Sequence, residues 1–116
     1  MIKLDITPVP KPRQTQSDKW KKRPPVLRYR AFADEVRLKM PKDYDMNYKR
    51  VTFYMPMPKS WTKKKREEMD MHGHQQKPDV DNLCKALLDA MYADDSHVFS
   101  ISVLKLWAEK GAIHIG

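Results

Sequence analysis

The segment from Pro78 to Asp95 constrains the fold most strongly, because it combines a complete helix pattern with a cluster of acidic side chains. Pro78 disfavours helical backbone at the preceding residue, so the chain reaches this point extended. Asp81 or Asn82 can then cap a helix that runs to about residue 92. Apolar residues recur along this helix and predict one face packed in a core; they are Leu83, Leu87, Ala90 and Met91.

The polar face of the same helix predicts a functional site. Asp81, Lys85 and Asp89 are spaced four apart, so they stack along one side of the helix. Asp79 lies two residues before Asp81, where an extended backbone would direct both carboxylates the same way. We therefore expect two carboxylates and a lysine to converge at the start of this helix.

The remaining segments predict a small α+β domain. Residues 2–6 alternate as a half-buried strand, and a proline-rich basic loop follows. Residues 26–40 predict a helix, residues 48–58 a strand, and residues 97–115 a strand, a turn at Glu109–Gly111 and a return strand that form a hairpin. Residues 59–76 predict a basic helix or loop that becomes flexible around Gly73. With 116 residues and 41% hydrophobic content, we predict one domain over 1–116, with a mixed β-sheet and two main helices.

The charge distribution indicates a polyanionic partner. The formal net charge is +8, and the acidic excess is confined to residues 79–116. Basic surfaces attract polyanions by releasing condensed counterions, so DNA is the leading partner, with an anionic membrane surface as the alternative. The candidate nucleic-acid-binding residues are Lys21, Lys22 and Arg23 in the early loop, Trp61, Lys63, Lys64, Lys65 and Arg66 in the middle segment, and Lys77 beside the acidic cluster.

Several other classes of protein are disfavoured. No apolar run approaches the ~20 residues of a membrane span, and the first residues do not form a signal-peptide pattern. We therefore expect a cytoplasmic protein without a membrane partner. Cys84 is the single cysteine, which excludes an intramolecular disulfide and a Cys-based zinc site. His72 and His74 form one H-x-H pair without further ligands, so a transition-metal site is a weak alternative.

The acidic cluster has two physical interpretations. Helix capping and surface ion pairs explain Asp81, Lys85 and Asp89, since an Asp near a helix N-terminus is stabilised by ~0.3–1 kcal/mol. They leave Asp79 and the pair Asp94–Asp95 without a role. A hard divalent cation explains these residues better, because Mg²⁺ binds one or two carboxylates, several waters and a substrate phosphate.

A longer sequence pattern around the acidic cluster favours the metal site over helix capping and surface ion pairs. Residues 77–98 read K-P-D-x-D-N-L-x-K-x-x-x-D-A followed by D-D-x-x-V, and this resembles the signature of the RusA family of Holliday-junction resolvases, small endodeoxyribonucleases encoded largely by bacteriophages and prophages. The resemblance implies that Asp79, Asp81 and Asp95 bind Mg²⁺ or Mn²⁺ and that Lys85 is an essential catalytic lysine. The connection to the acidic pair is shorter than the family pattern, which leaves open whether Asp94 or Asp95 is the third ligand.

The resemblance and the chemistry of these residues together predict a function. We expect a metal-dependent endodeoxyribonuclease that resolves four-way junctions and other branched DNA by paired symmetric nicks, in recombination and repair. Paired nicks favour a homodimer with two identical sites, and the strand at 98–107 is apolar on both faces, so a partner could cover one of them. The alternative is a non-catalytic basic DNA-binding protein in which the acidic helix is an interaction face.

Overall fold

The computed structural model describes residues 1–12 and 23–116, and these residues form four strands and three helices. In chain order they are β1 (Ile2–Leu4), α1 (Pro24–Lys39), β2 (Lys49–Pro56), α2 (Lys63–Met69), α3 (Val80–Met91), β3 (Ile101–Ala108) and β4 (Ala112–Ile115). The two predicted main helices are α1 and α3. Lys21 and Lys22, predicted to bind nucleic acid, lie outside the described residues. Within the described ranges, no helix is both long and apolar enough to cross a membrane.

The strands form one mixed sheet in the order β1-β4-β2-β3, which confirms the predicted α+β class. β2 pairs in parallel with β3, and the register sets Val51 beside Val103 and Phe53 beside Lys105. β4 pairs antiparallel with both β2 and β1. A parallel pair requires a crossover connection, and residues 57–100, which include α2 and α3, provide it.

The predicted hairpin between the last two strands is wrong. Both strands form, and residues 109–111 connect them, but β2 lies between β3 and β4 in the sheet. The crossover through α3 brings β3 to one side of β2, which leaves the other side of β2 for β4. A local turn pattern predicts that the chain reverses, whereas the choice of neighbouring strand depends on long-range pairing.

The core covers one face of the sheet. Along β2, buried Val51, Phe53 and Met55 alternate with partly exposed Thr52 and Tyr54. Leu83 and Leu87 of α3 are at most 1% exposed and belong to the same core as these β2 residues. The predicted helix over 26–40 forms as α1, and its buried residues include Val26, Ala33 and Val36. The opposite face of the sheet is without helical cover among the described residues, since its side chains remain partly exposed.

The segment around Gly73, predicted to be flexible, is instead held against β3. The Met71 amide donates to the Trp107 carbonyl at 2.9 Å, and the Trp107 amide donates to the His72 carbonyl at 2.9 Å. The His74 amide donates to the Lys105 carbonyl at 3.1 Å, and Gly73 forms a bridge with Leu106. Residues 71–74 thus cover part of the outer edge of β3, which limits edge-to-edge pairing there.

Asn47 fixes the chain between α3 and β3. Its Oδ1 accepts hydrogen bonds from the amides of Phe99 at 2.7 Å and Ser100 at 3.2 Å, and its Nδ2 donates to the His97 carbonyl at 3.2 Å. The Tyr48 amide also donates to the Ser100 carbonyl at 2.8 Å. These bonds anchor the segment that begins just after the acidic pair at positions 94 and 95.

Candidate active site

The helix that carries the site begins earlier than predicted. α3 starts at Val80 with Asp79 as the N-cap, so the prediction of Asp81 or Asn82 as the cap is wrong. Asp is among the preferred N-cap residues, and Pro78 disfavours helical backbone at Lys77, so the helix does not extend further towards the N-terminus. Because Asp81 already lies inside the helix, the expected extended geometry between the two carboxylates does not occur. Asp79 accepts no capping hydrogen bond with its side chain, so capping does not occupy its carboxylate.

Asp79 lines two open grooves. One groove has a volume of about 510 Å³ and is lined by residues that include His74, Lys77, Asp81 and Lys105. The other has a volume of about 470 Å³ and is lined by Pro10 and Asn82, among others, and Asp79 lines both grooves. Asp79 and Asp81 are exposed. The start of α3 therefore presents two carboxylates to solvent in a single groove, together with two lysines.

Lys85 joins the helix to the acidic segment that follows it. Its Nζ lies 3.1 Å from Asp89 Oδ1, the predicted pair one turn on, and 3.1 Å from Asp95 Oδ2. Hydrogen bonds with Asp95 and then Asp89 raise the pKa of Lys85, so it stays protonated near neutral pH. The predicted pair between Asp81 and Lys85 is absent from the ion pairs among the described residues. Lys85 instead contacts Asp95, ten residues further along the chain.

The two members of the acidic pair have different partners. Asp94 Oδ1 accepts a hydrogen bond from the Ser96 amide at 2.9 Å, and this bond lowers the pKa of Asp94. Asp95 contacts Lys85. Partial burial raises the pKa of the Cys84 thiol, and the nearby carboxylates of Asp95 and Asp81 raise it further. Asp94 therefore stabilises its own turn, whereas Asp95 lies on the same side of α3 as the catalytic candidates.

Asp89 also forms ion pairs with two lysines. It accepts hydrogen bonds from Lys85 and from Lys11, which belongs to the N-terminal segment. Partial burial alone would raise the pKa of Asp89, but the hydrogen bonds from Lys11 and Lys85 outweigh this effect and lower it. Two lysines distant in sequence are thereby held at one carboxylate, and the N-terminal segment is tied to α3 beside the candidate site.

The three carboxylates predicted as metal ligands do not form a ready-made metal cluster among the described residues. Within residues 1–12 and 23–116, no group of three or more His, Cys, Asp or Glu side chains has the geometry of a metal site. Asp79 and Asp81 share a groove, and Asp95 is bonded to Lys85. The assignment of Asp79, Asp81 and Asp95 as the ligands stays a prediction.

The residues predicted to bind nucleic acid fall into two groups. Lys63, Lys64 and Lys65 are exposed on α2, and Lys77 is exposed two residues before Asp79. Arg66, by contrast, is engaged within the protein, with Glu109 at 3.2 Å and the Pro58 carbonyl at 2.8 Å.

Trp61 makes an internal contact that the sequence did not indicate. Its ring centroid lies 4.7 Å from that of Trp107, and Lys65 Nζ lies 4.5 Å from the Trp61 ring. Trp61 remains partly exposed. Arg23, the last of the predicted early-loop residues, is described and occupies the N-cap position of α1.

Two further residues border the candidate site: Lys105, which the sequence did not single out, and His74, which it gave only as part of a weak transition-metal pair. Lys105 lies in β3, and its Nζ donates to the carbonyls of Gln76 at 2.5 Å and Pro78 at 2.6 Å. His74 is 6% exposed, and burial, followed by the nearby charge of Lys105, lowers its pKa. The available signal for Lys105 was a charged residue between two leucines of an apolar strand, a position that requires compensating partners.

The Asp89 network predicts a pH-dependent contribution to stability. Asp89→Asn should lower the free energy of unfolding by about 1 kcal/mol at neutral pH, because it removes the charge that Lys11 and Lys85 share. The pKa of Asp89 lies below its ordinary 3.8, so the stabilisation is complete above that pH and is lost as the pH falls through the folded pKa. Urea unfolding at neutral pH and below pH 3.8 should show the difference from wild type shrinking in acid.

Asp34→Asn is the matched control for this prediction. Asp34 is 79% exposed and lies 3.5 Å from Arg37, so its loss should cost less than about 0.5 kcal/mol. Equal losses for the two variants, or a difference for Asp89→Asn that grows in acid, would contradict the role assigned to Asp89.

Comparison with known proteins identifies the family. The family described as endodeoxyribonuclease RusA matches residues 5–116. The chain is also similar to the protein named "Uncharacterized protein YqaN" of Bacillus subtilis (strain 168), with 37% identity over 73 residues. That similarity covers 56% of this chain and 51% of the relative, so the matched part spans about half the relative's length. No solved structure matches the chain significantly. Because the family match extends over nearly all of the chain, this protein belongs to the RusA family of endodeoxyribonucleases.

Proposed function

We propose that this protein is a Mg²⁺- or Mn²⁺-dependent endodeoxyribonuclease that resolves four-way junctions and other branched DNA by paired symmetric nicks. The observation that carries the proposal is the grouping of catalytic candidates around α3: Asp79 and Asp81 at its start, and Lys85 one turn on, bonded to Asp95. Membership of the RusA family supports the same chemistry. Such an enzyme would act on cytoplasmic DNA in recombination and repair.

The donor chemistry at the start of α3 fits a hard divalent cation. Asp79 and Asp81 are exposed and line one groove, and carboxylate oxygens are ligands that Mg²⁺ prefers. Asp95 is the proposed third ligand, because the Asp94 carboxylate already accepts a hydrogen bond from the Ser96 amide within its own turn. When bound, the metal would make a water nucleophilic near neutral pH and offset negative charge on the phosphate.

Lys85 is the proposed catalytic lysine. It is exposed and held by carboxylates on two sides, which favours its protonated form. A protonated lysine can donate to a phosphate oxygen and stabilise the charge that develops there during hydrolysis. Asp89, itself fixed by Lys11, would restrict the positions that the Lys85 ammonium can take.

The basic surfaces would bind the DNA backbone. Exposed Lys63, Lys64 and Lys65 on α2 and exposed Lys77 beside Asp79 could each neutralise a phosphate, with Lys21, Lys22 and Arg23 as further contacts. Arg66 and Trp61 have internal partners, so their proposed contribution is to support α2 and, for the exposed part of Trp61, to contact a base.

Conservative substitutions should separate cutting from binding. Asp79→Asn, Asp81→Asn and Asp95→Asn should each abolish junction cleavage, because each removes a ligand oxygen charge, while junction binding measured without metal is retained or tightened. Asp94→Asn is the matched control: it lies next to Asp95 but should reduce cleavage much less, since its carboxylate serves the turn at Ser96. Cleavage and electrophoretic binding assays on one synthetic junction measure both effects.

Two results would count against this assignment. Full cleavage by all three variants would show that these carboxylates bind no essential metal. A greater loss for Asp94→Asn than for Asp95→Asn would reverse the assignment within the pair.

The proposed working unit is a homodimer that uses the outer face of β3. A four-way junction contains two equivalent strands, and a two-fold symmetric dimer supplies two identical sites. On the face of the sheet opposite the core, Leu104 is 43% exposed and Leu106 is partly exposed. Close to the start of β3, Tyr48 and Phe99 stack edge-to-face at 5.3 Å while 78% and 71% exposed. Apolar side chains concentrated at one strand support self-association through that strand.

A charge introduced at this surface should produce monomers. Leu104→Glu should shift the sedimenting species from dimer to monomer and should leave junctions nicked once per binding event instead of resolved. Leu38→Glu is the control, since Leu38 on α1 is 83% exposed and lies outside the proposed interface. If wild-type protein sediments as a monomer at concentrations where it resolves junctions fully, or if Leu104→Glu stays dimeric, the interface proposal fails.

A further inference from the structure

Lys105 makes an unusual set of contacts for a lysine in a β-strand. Its Nζ donates to the Gln76 carbonyl at 2.5 Å and to the Pro78 carbonyl at 2.6 Å. In the sheet it lies directly beside Phe53, which is fully buried, and its own side chain is only partly exposed. A lysine in such surroundings requires good hydrogen-bond acceptors, and the two carbonyls satisfy two of its three donors.

The two bonds fix the backbone immediately before Asp79. Pro78 is joined to Asp79 by one peptide bond, and Gln76 lies two residues before Pro78. Gln76 and Lys77 are exposed and lie between the bridge at Gly73 and the start of α3. The His74 amide also donates to the Lys105 carbonyl at 3.1 Å, so Lys105 holds this connection from both its main chain and its side chain.

The position of Lys105 links the sheet to the proposed metal site. β3 is paired along its whole length with β2, from Ile101 to Ala108, and therefore provides a rigid support. Lys105 lines the same groove as Asp79 and Asp81. Asp79 has no capping hydrogen bond that would orient its carboxylate, so the position of the Asp79 backbone is an important constraint on where that carboxylate can reach.

We propose that Lys105 is a positioning residue that orients Asp79 for divalent-metal binding by clamping the Gln76 and Pro78 carbonyls, an inference that rests on the proposed function. Groups that orient metal ligands without touching the metal typically change metal affinity by about 10–100-fold when removed. Loss of the clamp should therefore weaken metal binding more than it weakens DNA binding, because the exposed lysines of α2 are on a different element.

The test compares Lys105→Met with Lys110→Met. Methionine keeps an unbranched apolar side chain as far as the Cε position and removes the ammonium, and Lys110 is an exposed lysine in the turn between β3 and β4. Mn²⁺ binding is measured by calorimetry without DNA, and the Mg²⁺ concentration for half-maximal junction cleavage is measured in parallel. Lys105→Met should bind Mn²⁺ about tenfold more weakly and need a correspondingly higher Mg²⁺ concentration. Junction affinity in chelator should change less than about threefold, and Lys110→Met should match wild type.

A second variant keeps the inference testable if Lys105→Met does not fold. Lys105→Gln replaces the ammonium with an amide NH2 that can still donate to the Gln76 or the Pro78 carbonyl. This variant should show an intermediate loss of Mn²⁺ affinity at an unchanged melting temperature. Mn²⁺ affinity equal to wild type in the folded Lys105 variants would overturn this inference alone. A wild-type protein that neither binds Mn²⁺ nor cuts junctions would overturn the proposed function and this inference with it.

Discussion

The packing of α3 into the core is the constraint on which the rest of the structure depends. Leu83 and Leu87 are at most 1% exposed, and each buried leucine stabilises the fold by about 1.5–3 kcal/mol. Because this face of α3 is fixed, the orientation of the opposite face is fixed as well. Lys85 and Asp89 therefore lie side by side on the outside, and the N-terminal end of the helix presents Asp79 and Asp81 beside β3.

The carboxylates around this helix coexist because cations are distributed among them. Two like charges at 4 Å repel by about 4 kcal/mol at an effective dielectric constant near 20, so neighbouring carboxylates need nearby cations to offset this repulsion. Lys85 forms ion pairs with Asp89 and Asp95, and Lys11, from another part of the chain, forms an ion pair with Asp89. Asp79 and Asp81 face a groove shared with Lys77 and Lys105 instead. The pair at the start of α3 is thus the part of the cluster most open to an external cation.

Local patterns in the sequence predicted the elements and most of the candidate site, whereas long-range contacts decided the rest. The apolar stripe predicted α3, and the i,i+4 spacing predicted the pair of Lys85 with Asp89. The partner of Asp89 at Lys11 and the clamp of Lys105 on the chain before Asp79 join positions far apart in sequence, which no periodicity encodes. The predicted pairing of β3 with β4 was wrong for the same reason, since these two strands are joined by a short turn but β2 lies between them in the sheet.

Cleavage of a synthetic four-way junction by the wild-type protein shows whether the residues around α3 form a metal-dependent nuclease site. Each strand is end-labelled in turn, and the products are mapped with Mg²⁺, with Mn²⁺ and with chelator. We expect nicks at symmetry-related positions in two opposing strands, dependent on the divalent ion, and no comparable cutting of a linear duplex of the same sequence. Junction binding without cleavage in either metal would contradict this expectation and would favour a non-catalytic DNA-binding protein.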